Sequence, residues 1–457
     1  MRALSFSAVA SALSKKNVWQ ESINCNMSNV TAHINNFPDE ILLHIFNYLP
    51  TPDLLVCVTK VCTRWNAFAY DRKLWNRRMV DLPEDTSVQA LVECFPKCTS
   101  VSMELNSASW PGQAMFDGKH LHAFMRTRDC FLSFLTTIIK NGDDITDISV
   151  CGINEDVEEV LTVIAHLPNL QTLLINGSFF ADNSGIRHIG DNCPHLRKVD
   201  TGEITFAEEE VEYFIRKKKH QLTHIGLALQ TAEGSSLLPF LGLCGDTLIS
   251  LDIYGIAGFY ITVVDDVTVF SALKKLEHLR FHNYIKFGSD VLVNAFTSSW
   301  FLNLRTLVID TATYVDDEVM AAISLNCPLL NELQINYSQI TGEGLKYLHC
   351  LRNLQKLDLS LSQLLKSLGT LSQCVQLRKL SLESCTRVHS REIADAVPHI
   401  HELRVLDLSQ CGASLLRLRE LPQQLPFLRT LVLYGADINV EQLQAMRHCA
   451  PHINVVI

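Results

Sequence analysis

The feature that most restricts this chain is a recurring spacing of aliphatic residues, L-x-x-L-x-L. It appears at Ile145-Ile148-Val150, Leu170-Leu173-Ile175, Leu222-Ile225-Leu227, Leu248-Leu251-Ile253 and Leu276-Leu279-Phe281. It continues at Leu304-Leu307-Ile309, Leu330-Leu333-Ile335, Leu354-Leu357-Leu359, Leu377-Leu380-Leu382, Leu403-Leu406-Leu408 and Leu428-Leu431-Leu433, and ends at Ile453-Val456. Leu196-Val199-Thr201 fills the one gap, with a poor third position. Successive first positions lie 23 to 28 residues apart. The last two apolar positions alternate as in a short strand with one buried face. A fixed period of this length marks an array whose units bury their apolar faces only by stacking. It also answers how 457 residues, too many for one ordinary core, can be ordered.

Between these strands lie helical stretches such as 185–189 and 319–323, and several end in Cys-Pro, as at Cys193-Pro194 and Cys327-Pro328. Fifteen cysteines are scattered through the chain. An odd, dispersed count reads as reduced thiols in an intracellular protein rather than a disulfide framework. Cys193, Cys327, Cys374 and Cys449 sit before proline or inside apolar runs and are expected to be buried as small hydrophobes. Cys94 and Cys98 stand four apart, but no second pair follows at finger spacing, so no metal is expected. The net charge is −10, which disfavours nucleic acid as the main partner, because phosphate binding needs clustered Lys and Arg. The one dense basic run, Arg216-Lys217-Lys218-Lys219-His220, follows Glu208-Glu209-Glu210 and fits the C-terminal end of an outer helix.

Residues 1–34 read as a flexible leader: three serines interrupt its apolar run, although it lacks acidic residues before Glu21 as a targeting segment would. No later segment offers 18 uncharged apolar residues, so no membrane partner is expected. Residues 35–80 are a short helical module. Pro38, Asp39 and Glu40 suit a first turn. Ile41, Leu42, Ile45, Phe46 and Leu49 then recur on one apolar face, and Pro50 stops the helix. Thr51 and Pro52 open a second helix carrying Leu54, Leu55, Val58, Val61 and Cys62; Trp65 and Phe68 mark a third. About forty residues cannot bury all that apolar surface alone.

The order Phe37-Pro38, Glu40-Ile41-Leu42, Ile45-Phe46, Leu49, Asp53-Leu54, Val61-Cys62, Arg64-Trp65 and Leu74-Trp75 resembles the F-box, with Phe37 in place of the family's usual Leu. The resemblance implies docking onto a Skp-family adaptor and, through it, onto a cullin and a RING subunit of a ubiquitin ligase. Carried across by position, Pro38, Ile41, Leu42, Ile45, Phe46, Leu54, Val61 and Trp65 would lie at or behind that interface. Leu55 and Phe68 are expected to belong to the module's own core.

The Cys-Pro-terminated repeats resemble the cysteine-containing class of leucine-rich repeats. The expected architecture is therefore α/β: a three-helix F-box module followed by a curved leucine-rich-repeat solenoid of strands and helices. Residues 81–144 form a linker and irregular first repeat, with 88–103 the irregular repeat and 107–119 a loop or insertion. Residues 145–457 form about twelve repeats. A dozen strands at about 4.8 Å make an inner wall of roughly 55–60 Å, suited to a protein substrate.

Side-chain alternation places Ser250, Asp252 and Tyr254, then His278, Arg280 and His282, on that wall. Thr306, Val308 and Asp310, Glu332, Gln334 and Asn336, and Lys356, Asp358 and Ser360 follow. The last sets are Lys379, Ser381 and Glu383; Val405, Asp407 and Ser409; and Thr430, Val432 and Tyr434. His278, Arg280 and His282 beside Tyr254 form a cationic or pH-sensitive stripe that could take acidic or phosphorylated groups. Asp358, Glu383 and Asp407 form an acidic lane for basic groups, partly offset by Lys356 and Lys379. The plainer alternative is that all are solvated charges.

No Walker-type glycine loop, G-x-S-x-G elbow or His-Glu-x-x-His occurs. The expected role is a non-catalytic substrate receptor without a cofactor, cytoplasmic or nuclear, acting by proximity. The alternative is a non-degradative repeat scaffold or inhibitor.

Overall fold

The computed structural model describes residues 37–50, 53–75, 78–81, 98–105, 113–117, 119–125, 127–140, 144–153, 157–177, 185–229, 236–255, 262–264, 266–283, 285–411, 424–435, 444, 447–448 and 450–457. The leader 1–34, Thr51, Pro52, Cys94 and Cys449, and most of 88–103, fall outside them, as do the side chains of Leu55 and Trp75. The chain divides into two compact units, one comprising residues to Gly152 with His166–Leu170, the other Ile153–Ala165 with Gln171–Ile457.

The first unit opens with helix Asp39–Phe46, whose first turn carries Asp39 and Glu40. A π-helical turn at Asp53–Cys57 and a 3-10 turn at Val58–Lys60 follow. Helices Thr63–Ala69 and Arg72–Trp75 complete the module. Five strands come next: β1 Arg78–Asp81, β2 Ser100–Leu105, β3 Gln113–Asp117, β4 His120–Met125 and β5 Asp147–Cys151. They pair in the order β1-β3-β4-β2-β5, with the β1–β3 and β3–β4 pairs antiparallel and the other two parallel.

Residues 107–119, expected as a loop or insertion, thus contain strand β3. The sequence hides it because Gln113-Ala114-Met115-Phe116-Asp117 does not follow the repeat's spacing. Strands β4 and β2 do behave as repeat strands. Lys119 O accepts from Thr99 N and Ser100 N, and Thr99 O accepts from Thr146 N and Asp147 N. Spatial order is reversed relative to sequence, with β2 between β4 and β5.

The second unit is an open parallel ladder. Its strands are β6 Thr172–Asn176, β7 Lys198–Asp200, β8 His224–Ala228 and β9 Ser250–Tyr254. After β10 Thr262–Val264 come β11 His278–His282 and β12 Ile285–Phe287. Strands β13 Thr306–Ile309, β14 Glu332–Ile335, β15 Lys356–Asp358 and β16 Lys379–Ser381 continue it. The last are β17 Val405–Asp407, β18 Thr430–Val432 and β19 Asn454–Val456. Strands β10 and β12 form a separate parallel pair.

The register explains the spacing of the leucines. Leu251, Leu279, Leu307, Leu333, Leu357, Leu380, Leu406, Leu431 and Val455 stand opposite one another from β9 to β19. All are buried, while the residues between them face away from the core. After β11 and after each strand from β13 to β18 the chain turns through a left-handed residue: Asn283, Thr311, Tyr337, Leu361, Ser384, Gln410 and Gly435. This is an uncommon conformation for side chains larger than Gly, and it recurs at the same point of each turn.

The return segments differ between repeats. The steps from Leu276 and Leu304 hold α-helices at Ser289–Thr297 and Asp317–Asn326, whereas the step from Leu248, as long as that from Leu276, holds a 3-10 turn at Thr268–Ala272. The shortest accommodate only 3-10 turns, Gly344–Cys350 and Gly369–Gln373. One strand and one helix per repeat, as the sequence suggests, is therefore too regular. Cys193, Cys327 and Cys374 are buried as expected, and the described cysteines are free thiols. Burial pushes the Cys327 thiol up to about 12, as it does for an apolar packing group.

Candidate functional site

The apolar stripe of the first helix is divided by packing. Leu42 is 0 % exposed and Phe46 is buried edge-on against the Trp65 ring, with centroids 5.0 Å apart. Leu54, Val58, Ala69 and Leu74 complete this interior. Ile41, at 45 % exposed, and Tyr48 lie outside, with half-buried Ile45 between them on the same i, i+4, i+7 line. Val61 is 43 % exposed, and Pro38 is exposed while its carbonyl accepts from Ile41 N and Leu42 N. Phe68 is half-buried. Arg64 fastens the module's ends by donating to Phe37 O at 2.8 Å and pairing with Asp39. Of the residues expected at or behind an interface, Leu42, Phe46, Leu54 and Trp65 form the support, and Pro38, Ile41, Ile45 and Val61 can touch another molecule.

On the second unit, the exposed sheet face carries a cluster across β7, β9, β11 and the turn after β13. Register puts Arg280 opposite Asp252 and His282 opposite Tyr254. Arg280 Nη1 lies 3.3 Å from Asp252 Oδ1. The His282 ring stacks on Tyr254 at 4.6 Å, its Nε2 is 3.2 Å from Asp252 Oδ1, and its Nδ1 is 3.1 Å from Asp310 Oδ2. Gln334 donates to the other Asp310 oxygen at 3.3 Å. Burial opposes a charge on His282, but hydrogen bonds to the two carboxylates outweigh it and raise its pKa to about 9. Both ring nitrogens then donate. Burial also works against the Asp252 charge, yet His282 and Arg280 hold that carboxyl below its ordinary range. Burial raises Asp200.

The expected cationic stripe is therefore closed by its own counter-ions. Asp252 and Asp310 occupy Arg280 and His282, and His278 pairs with Thr306 Oγ1 at 3.0 Å. Burial lowers the His278 pKa, which favours its neutral form. The cluster holds Asp200, Asp252 and Asp310 against two cations, which makes a free anion-reading stripe a poor description of it. Sequence reasoning misses Asp200, and it places Asp252 on the wall without pairing it with the stripe. The signal that points to Asp200 is its place in the weak Leu196 repeat, opposite Gly226.

The acidic lane has a different character. Asp358 Oδ1 accepts from Ser360 N at 3.0 Å and Asp407 Oδ1 from Ser409 N at 2.9 Å, so both cap the turns that follow their strands. Glu383 is exposed. Lys356 pairs with Glu332 at 3.2 Å rather than with this lane. Among the described residues no group of three or more His, Cys, Asp or Glu could hold a metal ion. None of the described helices is long and apolar enough to cross a membrane.

Comparison with known proteins adds one domain assignment. The F-box-like family model matches residues 34–81. A Caenorhabditis elegans protein, EEED8.10, provisionally named as RNA-binding, is 26% identical over 303 residues, 58% of this chain and 40% of that protein. The chain thus matches less than half the length of that relative. Among solved structures, the yeast Rad7 and Elc1 complex aligns over 98% of this chain and 90% of the matched chain, at 16% identity and a TM-score of 0.42. An internalin, inlF, from Listeria monocytogenes aligns over 71% and 94%, at 14% identity and a TM-score of 0.42. By the family match at its N-terminal end and the strand register of the rest, this is a chain with an F-box-like domain at residues 34–81 and a leucine-rich-repeat solenoid after it.

Proposed function

We propose that the chain is the substrate-recognition component of an SCF-type ubiquitin ligase. The helical module docks a Skp-family adaptor, which brings a cullin and a RING subunit, and the repeats bind a protein substrate. The observation that carries this reading is the exposure of Ile41, Tyr48 and Val61 on a module whose interior Leu42, Phe46, Leu54 and Trp65 already fill. Large apolar side chains left outside a complete core are suited to a partner's groove. Such a subunit contributes no chemistry of its own; it raises the local concentration of substrate at the conjugating enzyme.

The name of the Caenorhabditis elegans relative raises RNA as another partner, but the basic run does not support it. Lys218 is buried and donates to Cys193 O at 2.7 Å, Lys217 pairs with Asp191 at 3.2 Å, and Arg216 pairs with Glu212 at 2.6 Å. Most of the run is committed to its own helix surroundings.

The test is affinity purification of the full chain from cells. Recovery of a Skp-type adaptor and a cullin, lost with Ile41→Asp, supports the receptor reading. Failure of the wild type to recover the adaptor removes it. Recovery without any protein whose turnover depends on the chain favours a non-degradative scaffold.

A further inference from the structure

The edge of the sheet at which β16, β17 and β18 begin is basic, each strand being preceded by an arginine. Arg378, Arg404 and Arg429 hold the same place in three successive repeats. Arg404 N and Val405 N donate to Arg378 O at 2.8 and 3.0 Å, and Arg429 N and Thr430 N donate to Arg404 O at 2.8 and 3.0 Å. Their backbones therefore stack one strand spacing apart. Lys356 and Lys379 are register partners at the next position along β15 and β16.

What distinguishes this edge is its lack of counter-ions. Further back along the same edge, Arg305 pairs with Glu277 at 2.9 Å and Lys356 with Glu332 at 3.2 Å. Beyond Lys356 the matching stops. Arg378 donates only to the uncharged Gln355, at 3.2 Å. Lys379, Arg404 and Arg429 have no side-chain partner among the described residues. Glu402, in the turn ahead of Arg404, is half-buried and forms no ion pair with them. Two positions further along the strands the sign reverses, at Asp358 and Asp407, with Glu383 beyond.

We propose that Lys379 with the column Arg378, Arg404 and Arg429 is a docking strip for an extended acidic segment of a protein partner. The column spans roughly 10 Å, the reach of about three extended residues. A peptide can turn carboxylates toward the strip and neutral or basic side chains toward Asp358, Glu383 and Asp407. A nucleic-acid backbone is negative throughout and would meet that acidic flank on a chain of net charge −10. The strip goes beyond the ligase reading and binds whether or not an adaptor docks on the helices, so the two fail in separate assays.

The test measures fluorescence anisotropy of a labelled Glu-rich decapeptide on the purified full chain at moderate salt. The peptide binds, added salt weakens it, and Lys379→Glu with Arg404→Glu weakens it by about tenfold. Arg197→Glu with Lys198→Glu, at the far end of the sheet, leaves the affinity unchanged. Should the first pair lower the melting temperature, Lys379→Ala with Arg404→Ala replaces it and still weakens binding. No binding to the wild type, or equal binding to both charge-reversed forms, overturns the proposal. So does tighter binding of a labelled oligouridylate that the same substitutions abolish, since the strip would then serve phosphates.

Discussion

Asp200 reaches past Gly226 to accept a hydrogen bond from the Tyr254 hydroxyl at 3.0 Å, joining β7 to β9 over the strand between them. The bridge exists because Gly226 has no side chain: a Cβ there would stand 2.3 Å from Asp200 Oδ1. Tyr254 in turn carries the stacked His282 ring. One glycine in the Leu222 repeat thus makes room for a charged cluster that occupies the strands on either side of it.

Gly226→Ala should therefore destabilise the chain by about 1–3 kcal/mol, through displacement of Asp200 and loss of its bond. Tyr254→Phe removes the same bond without the clash and should cost about 1 kcal/mol. Chemical denaturation of the two variants beside the wild type measures both. An alanine variant as stable as the wild type would mean that Asp200 does not occupy that space.

His282 gives the second unit a pH signature. Its folded pKa, about 9, lies above the ordinary value of 6.5. Its contribution to stability is fully present below the unfolded pKa and is lost as pH rises through about 9. His282 should account for on the order of 2–3 kcal/mol of what the wild type loses between neutral pH and pH values above that range. His282→Gln should be less stable at neutral pH and should lose less than the wild type across the same window, where the buried thiols that ionise on unfolding weaken both proteins equally. Denaturant midpoints taken at several pH values decide this; parallel slopes for the two proteins would contradict an imidazolium held by Asp252 and Asp310.

The thiols separate by burial. Cys327 and Cys385 are pushed up to about 12, and Cys193, Cys244, Cys374 and Cys411 to about 11, by burial in each case. Iodoacetamide at mildly alkaline pH should leave these six unmodified in the native protein and label the half-exposed Cys130 and Cys350 first. Mass spectrometry of the digest reports the order. Labelling of Cys327 as fast as Cys350 would show that the repeats open locally.

The fold was legible where periodicity carried it. The spacing of Leu307, Leu333, Leu357 and Leu380 states the register directly, because each repeat must set its apolar residue against the next. Strand β3 was not legible, since an antiparallel insertion owes nothing to that period. On the exposed face the sequence identifies which residues point outward but not whom they meet. His278, Arg280 and His282 look cationic as a string; only the lateral register reveals that Asp252 and Asp310 neutralise two of them. The helical module shows the same division. Ile41 and Leu42 are adjacent and equally apolar in sequence, and only packing against Phe46, Trp65 and their neighbours separates support from surface.

That separation supplies the most direct measurement, the affinity of the purified full chain for a Skp-type adaptor by calorimetry, with circular dichroism on each variant. Ile41→Asp and Val61→Asp should keep the wild-type spectrum and melting temperature and lose at least about tenfold in affinity, as exposed anchors of an interface do. Leu42→Asp should unfold the module itself, because it buries a charge in the interior. Wild-type affinity retained by the folded Ile41→Asp and Val61→Asp proteins would contradict docking through this face.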